Sequence, residues 1–289
     1  MMTDQPSSGT FAIVVAHPGH ELMVYHWIEK HQPIYCCLTD GSGGAATSRL
    51  SSTGRLLTEV GASAGPIYGR YTDKEIYRLL LDERVDVFVA VARELADTIE
   101  RAGVDCVAGD AVEGFNPAHD ICRLIVDGAV EIVRRRTGRD IRNYDFLLDG
   151  PSDSRRPDSL VIRLDEGALD RKLAAARDYV EMRSEVEAAL DRHGRQAFAT
   201  ECLRPAATSL HVSRFEQELP YYERYGEKRV TEGRYSGVIR YRDHVRPVAL
   251  AIEAAFDQTE PEPASDESTT IVASGLGKNG RTSSHRTYS

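Results

Sequence analysis

The chain has 289 residues, 41% of them hydrophobic, and a formal net charge of −9. That length accommodates one large α/β domain or two small ones around a sizeable core. Lys and Arg are interleaved with Asp and Glu, which argues against a nucleic-acid or membrane-surface partner. The opening "MMTDQPSSGT" has neither a basic n-region nor an apolar h-region, and no run approaches the ~18 apolar residues of a spanning helix. The five cysteines, an odd number without framework spacing, suit a reducing compartment, so the chain reads as cytoplasmic.

In chain order, residues 1–10 read as a flexible N-terminus and "FAIVVA" (11–16) as a strand. A helix follows over 21–31 and a second strand over 33–40. Beyond the loop "GSGGAATSRLSSTG", the segment "RLLTEVGASA" predicts a short helix. Leu79, Val87, Val91, Leu95 and Ile99 recur at near-helical spacing, which predicts one long helical region from Thr72 to Ala102. "GVDCVAGD" (103–110) is a strand, 117–136 a helix with Pro117 near its start, and 143–150 a further strand. Short apolar runs alternating with amphipathic ones are the mark of βαβ units. The fold class is therefore α/β, a Rossmann-like and mostly parallel sheet with helices on both faces. Beyond Gly150, turn-rich sequence and a charged helical stretch over 165–194 predict a C-terminal α+β extension on the same sheet. The domain is expected to span 11–257. The Ser-, Thr-, Gly- and Pro-rich remainder, 258–289, is too poor in large apolar side chains to offset ordering entropy and reads as a disordered tail.

Two imidazoles and a carboxylate come directly after the first strand, in "AHPGHE". Ligands of an open parallel sheet bind at the carboxyl ends of its strands, which is where His17 and His20 arrive. His119 has a similar address, after the strand "GVDCVAGD" and the loop "AVEGFNP". Three imidazoles from two loops on one sheet edge match a catalytic zinc with three protein ligands and an open fourth position. Chance is the competing explanation, since nine histidines readily yield an H-x-x-H pair.

"VVAHPGHE" resembles the AHPDDE motif of the LmbE/PIG-L family of zinc-dependent N-deacetylases. "CLTDGSGG" resembles that family's second-strand segment ending in T-D-G, and "FNPAHDICRLIVDGAV" its third motif. The resemblance runs over about residues 11–150, in the right order. It implies a Rossmann-like sheet, a divalent metal, usually zinc, and hydrolysis of an N-acyl group, often acetyl on an amino sugar. By position, His17 and His119 match the family's first and last zinc histidines, and His20 stands where it has an aspartate ligand. Gly19 replaces the aspartate proposed there as general base. Asn116 and Ala118 replace a histidine and an aspartate beside the metal.

Three neutral imidazoles leave zinc a formal +2, and bound water can then ionise near about 7 without a dedicated base. The leaving nitrogen still needs a proton, for which Glu21, Asp110 and Glu113 are the candidate donors. Ordinary roles compete with each: a first-turn acid at a helix start for Glu21, solvated loop positions for Asp110 and Glu113. Asp120 could orient a ligand ring. Asp40 of the T-D-G turn, Asn116 and Arg55 are candidate substrate-binding residues, with surface arginine the alternative for Arg55. Tyr221, Tyr222, Tyr225 and His244 lie in an aromatic segment that either walls the pocket or packs the C-terminal extension.

The leading expectation is thus a hydrolase using Zn2+ or another divalent metal on a small N-acylated compound resembling an amino sugar. A metal-binding protein of the same fold without deacetylase activity is the alternative, favoured by Gly19. A nucleotide binder with incidental histidines is disfavoured by the poor glycine pattern.

Overall fold

Residues 9–43, 46–149, 155–207, 210 and 213–256 are described by a computed structural model. The expected flexible N-terminus, apart from its last two residues, and the expected disordered tail lie outside them. The first apolar run forms strand β1, Thr10–Val15, and its side chains divide between two cores. Ala12, Val14 and Ala16 join one cluster, while Phe11, Ile13 and Val15 join the other. Alternate residues of a strand point to opposite faces. Burial on both faces explains why β1 reads as a continuous apolar run.

Strands β2 (Ile34–Thr39), β3 (Ser63–Tyr71), β4 (Val104–Asp110) and β5 (Arg142–Phe146) extend the sheet, all joined by parallel pairings. β6 (Leu160–Arg163) and β7 (Thr200–Pro205) complete it, with β7 antiparallel to both β5 and β6. The strand order is β3-β2-β1-β4-β5-β7-β6, as expected for a mostly parallel α/β sheet with an α+β extension.

Helices cover both faces. On one lie α3 (Asp73–Leu81), α4 (Val85–Arg101), α5 (Pro117–Thr137) and α9 (Arg246–Ala254), contributing Ile76, Phe88, Ile121 and Ile252 to the first core. The other face carries α1 (Tyr25–His31), α2 (Leu50–Val60) and α6 (Glu166–Asp178), contributing Trp27, Leu57 and Ala176 to the second core. α7 (Arg183–His193) and α8 (Tyr221–Thr231) complete the helices of the extension. No helix among the described residues is long and apolar enough to cross a membrane.

Several boundaries differ from the sequence expectation. "RLLTEVGASA" is the end of α2 followed by the start of β3. This strand lies at the sheet edge with only Ile67 buried, so it lacks a strong apolar pattern. The helical region 72–102 is two helices. Thr72 opens α3 with a reciprocal capping box to Glu75, and Glu83, at φ 53, sits in the break before α4. Residues 165–194 likewise divide into α6, a 3-10 turn over Val180–Met182 and α7. The helix expected over 21–31 starts as a 3-10 turn, His20–Val24, that leads into α1.

Candidate metal centre

Because β2 and β4 flank β1, the strand order reverses beside β1, and a crevice opens at its carboxyl end. β1 delivers His17 and His20 into that crevice, and β4 ends there at Asp110. α5 starts above it, with Asn116 as N-cap accepting from the Ala118 N–H at 2.9 Å and Pro117 in its first turn. His119 therefore lies in the first turn of α5, facing the β1 loop. Ring centroids are 5.2 Å apart for His17–His20, 4.9 Å for His17–His119 and 4.6 Å for His20–His119.

Two of the rings are held by carboxylates. Asp110 Oδ2 accepts the Ala16 N–H at 2.7 Å and lies 2.9 Å from His20 Nδ1. His17 Nδ1 lies 2.7 Å from Thr39 Oγ1 and 2.7 Å from Asp73 Oδ1. A carboxylate only accepts, so in the neutral form of each ring the proton sits on Nδ1 and Nε2 holds the lone pair. Burial pushes the Asp73 carboxyl up, but its contacts with His17, Thr39 and the Gly43 N–H outweigh this and carry it down to about 2. His119 Nδ1 is buried without a hydrogen-bond partner. Desolvation, reinforced by the neighbouring His20 and His17, holds this imidazole well below its ordinary pKa and therefore neutral.

Among the described residues no group of three or more His, Cys, Asp or Glu side chains is arranged to hold a metal ion. The donor set itself fits a divalent metal such as zinc. It comprises three imidazoles, two of them with a carboxylate at Nδ1 and the third with a buried Nδ1 that has no hydrogen-bond partner.

The remaining candidates are dispersed. Asn116 Nδ2 stands 3.4 Å from His17 Nε2 and lines the same cavity, of about 970 Å³. Glu21, expected as a proton donor, is 0% exposed. Its carboxylate accepts from the Gly19 N–H at 2.7 Å, the Tyr35 hydroxyl at 2.9 Å and the Thr53 hydroxyl at 2.7 Å. Burial raises its pKa against those bonds. It braces the histidine loop from beneath rather than facing the cavity. Asp110 likewise faces His20, not open space. Glu113 accepts from the Leu148 N–H at 2.8 Å and ties the β4 loop to the segment after β5. Asp40 accepts from the Ser42 N–H at 2.9 Å and shapes its own turn. Arg55 lies on the exposed side of α2 and donates to Ser52 Oγ at 2.8 Å. Asp120 accepts from the Glu113 and Gly114 N–H groups at 3.1 and 3.2 Å and sets the loop ahead of α5. His244 Nδ1 accepts from the Arg240 N–H at 2.9 Å. Tyr221 stacks on Phe115 and on Tyr225, with centroids 5.1 and 5.8 Å apart. Tyr222 is buried in the first core.

Sequence reasoning missed Asp73, Arg49, Lys74, Tyr77 and Tyr235, all of which line the histidine cavity. Asp73 and Lys74 were hidden because 72–102 reads as one continuous helix. A capping box beginning at Thr72 was the available signal for a helix start there.

No family model matches the sequence, and no curated protein matches it. Solved structures do resemble it. One is an A40926 pseudoaglycone deacetylase, 19% identical with TM-score 0.47 over 69% of this chain and 98% of that one. Another is the zinc-inhibited form of a teicoplanin deacetylase, 13% identical with TM-score 0.42 over 67% and 98%. A third is a conserved protein of Thermus thermophilus, 15% identical with TM-score 0.47 over 71% and 98%. At these values the likeness carries no argument, and the chemistry rests on the residues themselves.

Proposed function

We propose that the chain is a metal-dependent amide hydrolase that removes an N-acyl group from a small, amino-sugar-like compound, with Zn2+ or another divalent cation held by His17, His20 and His119. One observation carries the reading: His17 and His20 each have a carboxylate oxygen beside Nδ1, at 2.7 and 2.9 Å, next to a third, neutral imidazole whose buried Nδ1 has no hydrogen-bond partner. A histidine serving only as a cap or core residue needs no such arrangement. The sequence resemblance to the LmbE/PIG-L motifs supports the same assignment.

When bound, the metal supplies Lewis-acid polarisation and acidifies a water. The chain's own residues position the reactants. Asp110 and Asp73 lie against the His20 and His17 rings and orient them, and Glu21 anchors the loop between the two histidines through the Gly19 N–H. The Asn116 amide, 3.4 Å from His17 Nε2, donates to the substrate carbonyl in this reading. A cavity of about 970 Å³ lined by Arg49, Lys74, Tyr77 and Tyr235 suits a ligand of ordinary metabolite size.

The test pairs metal analysis with a screen of N-acetyl amino sugars and related N-acyl compounds. About one divalent ion per chain, lost in His119→Ala with the fold intact, is the expected result; unchanged stoichiometry in that variant would overturn the site. One observation favours a second reading, a metal-binding protein without deacetylase activity. Residue 19, where the family carries its proposed base, has φ 106, and an ideal Cβ there would stand 2.2 Å from Met182 Sδ. Stoichiometric metal with no hydrolysis of any N-acyl compound selects that alternative.

A further inference from the structure

On the far side of the histidine loop lies a second cavity of about 650 Å³, sharing no lining residue with the histidine cavity. Leu22, Phe146, Leu173, Met182, Val186 and Leu190 are among the side chains that line it. We propose that this cavity is a second binding site, one that takes the uncharged aliphatic chain of a small ligand.

Three observations converge on it. The volume falls within the range of small-molecule sites, and the lining is apolar as such sites usually are. α7, which roofs it, buries none of its residues, although Val186, Ala189 and Leu190 form an i, i+3, i+4 apolar stripe turned toward the cavity. Val186 also packs against the second core, whereas Ala189 and Leu190 stay only partly covered and are completed by an apolar occupant. Finally, the buried charges in the wall neutralise one another. Lys172 Nζ lies 2.9 Å from Glu201 Oε1, and Arg204 Nη2 lies 2.6 Å from Asp145 Oδ1. Glu201 also accepts from the His26 and Trp27 N–H groups, at 2.9 Å each. Asp149 and Glu185 also line the cavity, so its wall carries more carboxylates than cations and repels an anionic headgroup; the complementary ligand is an uncharged aliphatic chain without a carboxylate or phosphate.

The probe is 1-decanol, titrated into the full-length protein by calorimetry and followed in parallel by thermal melting. Saturable binding with a rise in melting temperature is expected for the wild type. Ala189→Trp fills the cavity from α7 and should weaken binding by at least about tenfold. Ala188→Trp, on the exposed side of the same helix, should leave binding unchanged. Should Ala189→Trp fold poorly by circular dichroism, Leu190→Gln, which brings a polar group to the same wall, replaces it with the same expectation. No saturable binding to the wild type, or equal binding by wild type and the cavity variant, overturns the proposal. Metal content should be the same in all these variants, so the result is independent of the histidine site.

Discussion

At φ 106 and ψ −21, Gly19 holds a backbone conformation that residues with a side chain rarely adopt. Its N–H is at the same time pinned by Glu21, so the loop between the two histidines has little freedom to relax. Gly19→Asp, which would introduce the carboxylate that the LmbE/PIG-L motif carries at this position, should therefore lower stability by about 1–3 kcal/mol and reduce metal content instead of adding activity at low pH. Urea unfolding beside a pH–rate profile checks this, and an unchanged midpoint with improved low-pH activity would refute it. Asp110→Asn tests the carboxylate behind His20. The neutral amide makes the ring a poorer donor, and metal affinity should fall by about 10–100-fold, read by competition against a chelator. The three histidines were legible as residues because strand, turn and helix start followed one another in sequence. Asp73 was not, because its approach to His17 depends on an edge strand with almost no apolar signature.

Among the elements, β1, β2, β4 and α5 announced themselves because both sheet faces are covered and their apolar runs are dense. β3 and the break between α3 and α4 did not, since an exposed edge strand and a polar inter-helix turn follow no burial period. α1 carries a titration that the sequence did not reveal. His31, in its last turn, packs against Phe11 and Trp27 with centroids 4.2 and 5.2 Å away, and its Nε2 is buried without a partner. Desolvation, aided by Lys30 and Arg142, lowers its pKa to about 4. The unfolded chain, titrating near 6.5, takes up the proton first as pH falls, so this contribution to stability is complete above about 6.5 and is lost toward pH 4. His31→Phe keeps the packing and removes the titration. Its urea midpoint should drop less than that of the wild type between pH 7 and pH 5; equal drops would exclude His31 as a source of the slope.

For the molecule as a whole, a metal bound only by the folded state adds stability by mass action, about 2.7 kcal/mol at a hundredfold excess over Kd. A chelator should accordingly lower the melting temperature of the metal-loaded wild type and leave that of His119→Ala unchanged; equal shifts would argue against a metal at these rings. Sequence by itself determined the α/β class, because strand and helix periods are local properties of the chain. It also determined which imidazoles lie at strand ends, because the motif and the strand before it are contiguous. Only the tertiary structure decided what surrounds them. Asp110 meets His20 across 90 residues of sequence, Asp73 meets His17 through the pairing of β2 with β3, and Met182 stands against Gly19 from the C-terminal extension. Such contacts follow from strand order and layer packing, which bring distant residues together without leaving any periodic trace in the sequence.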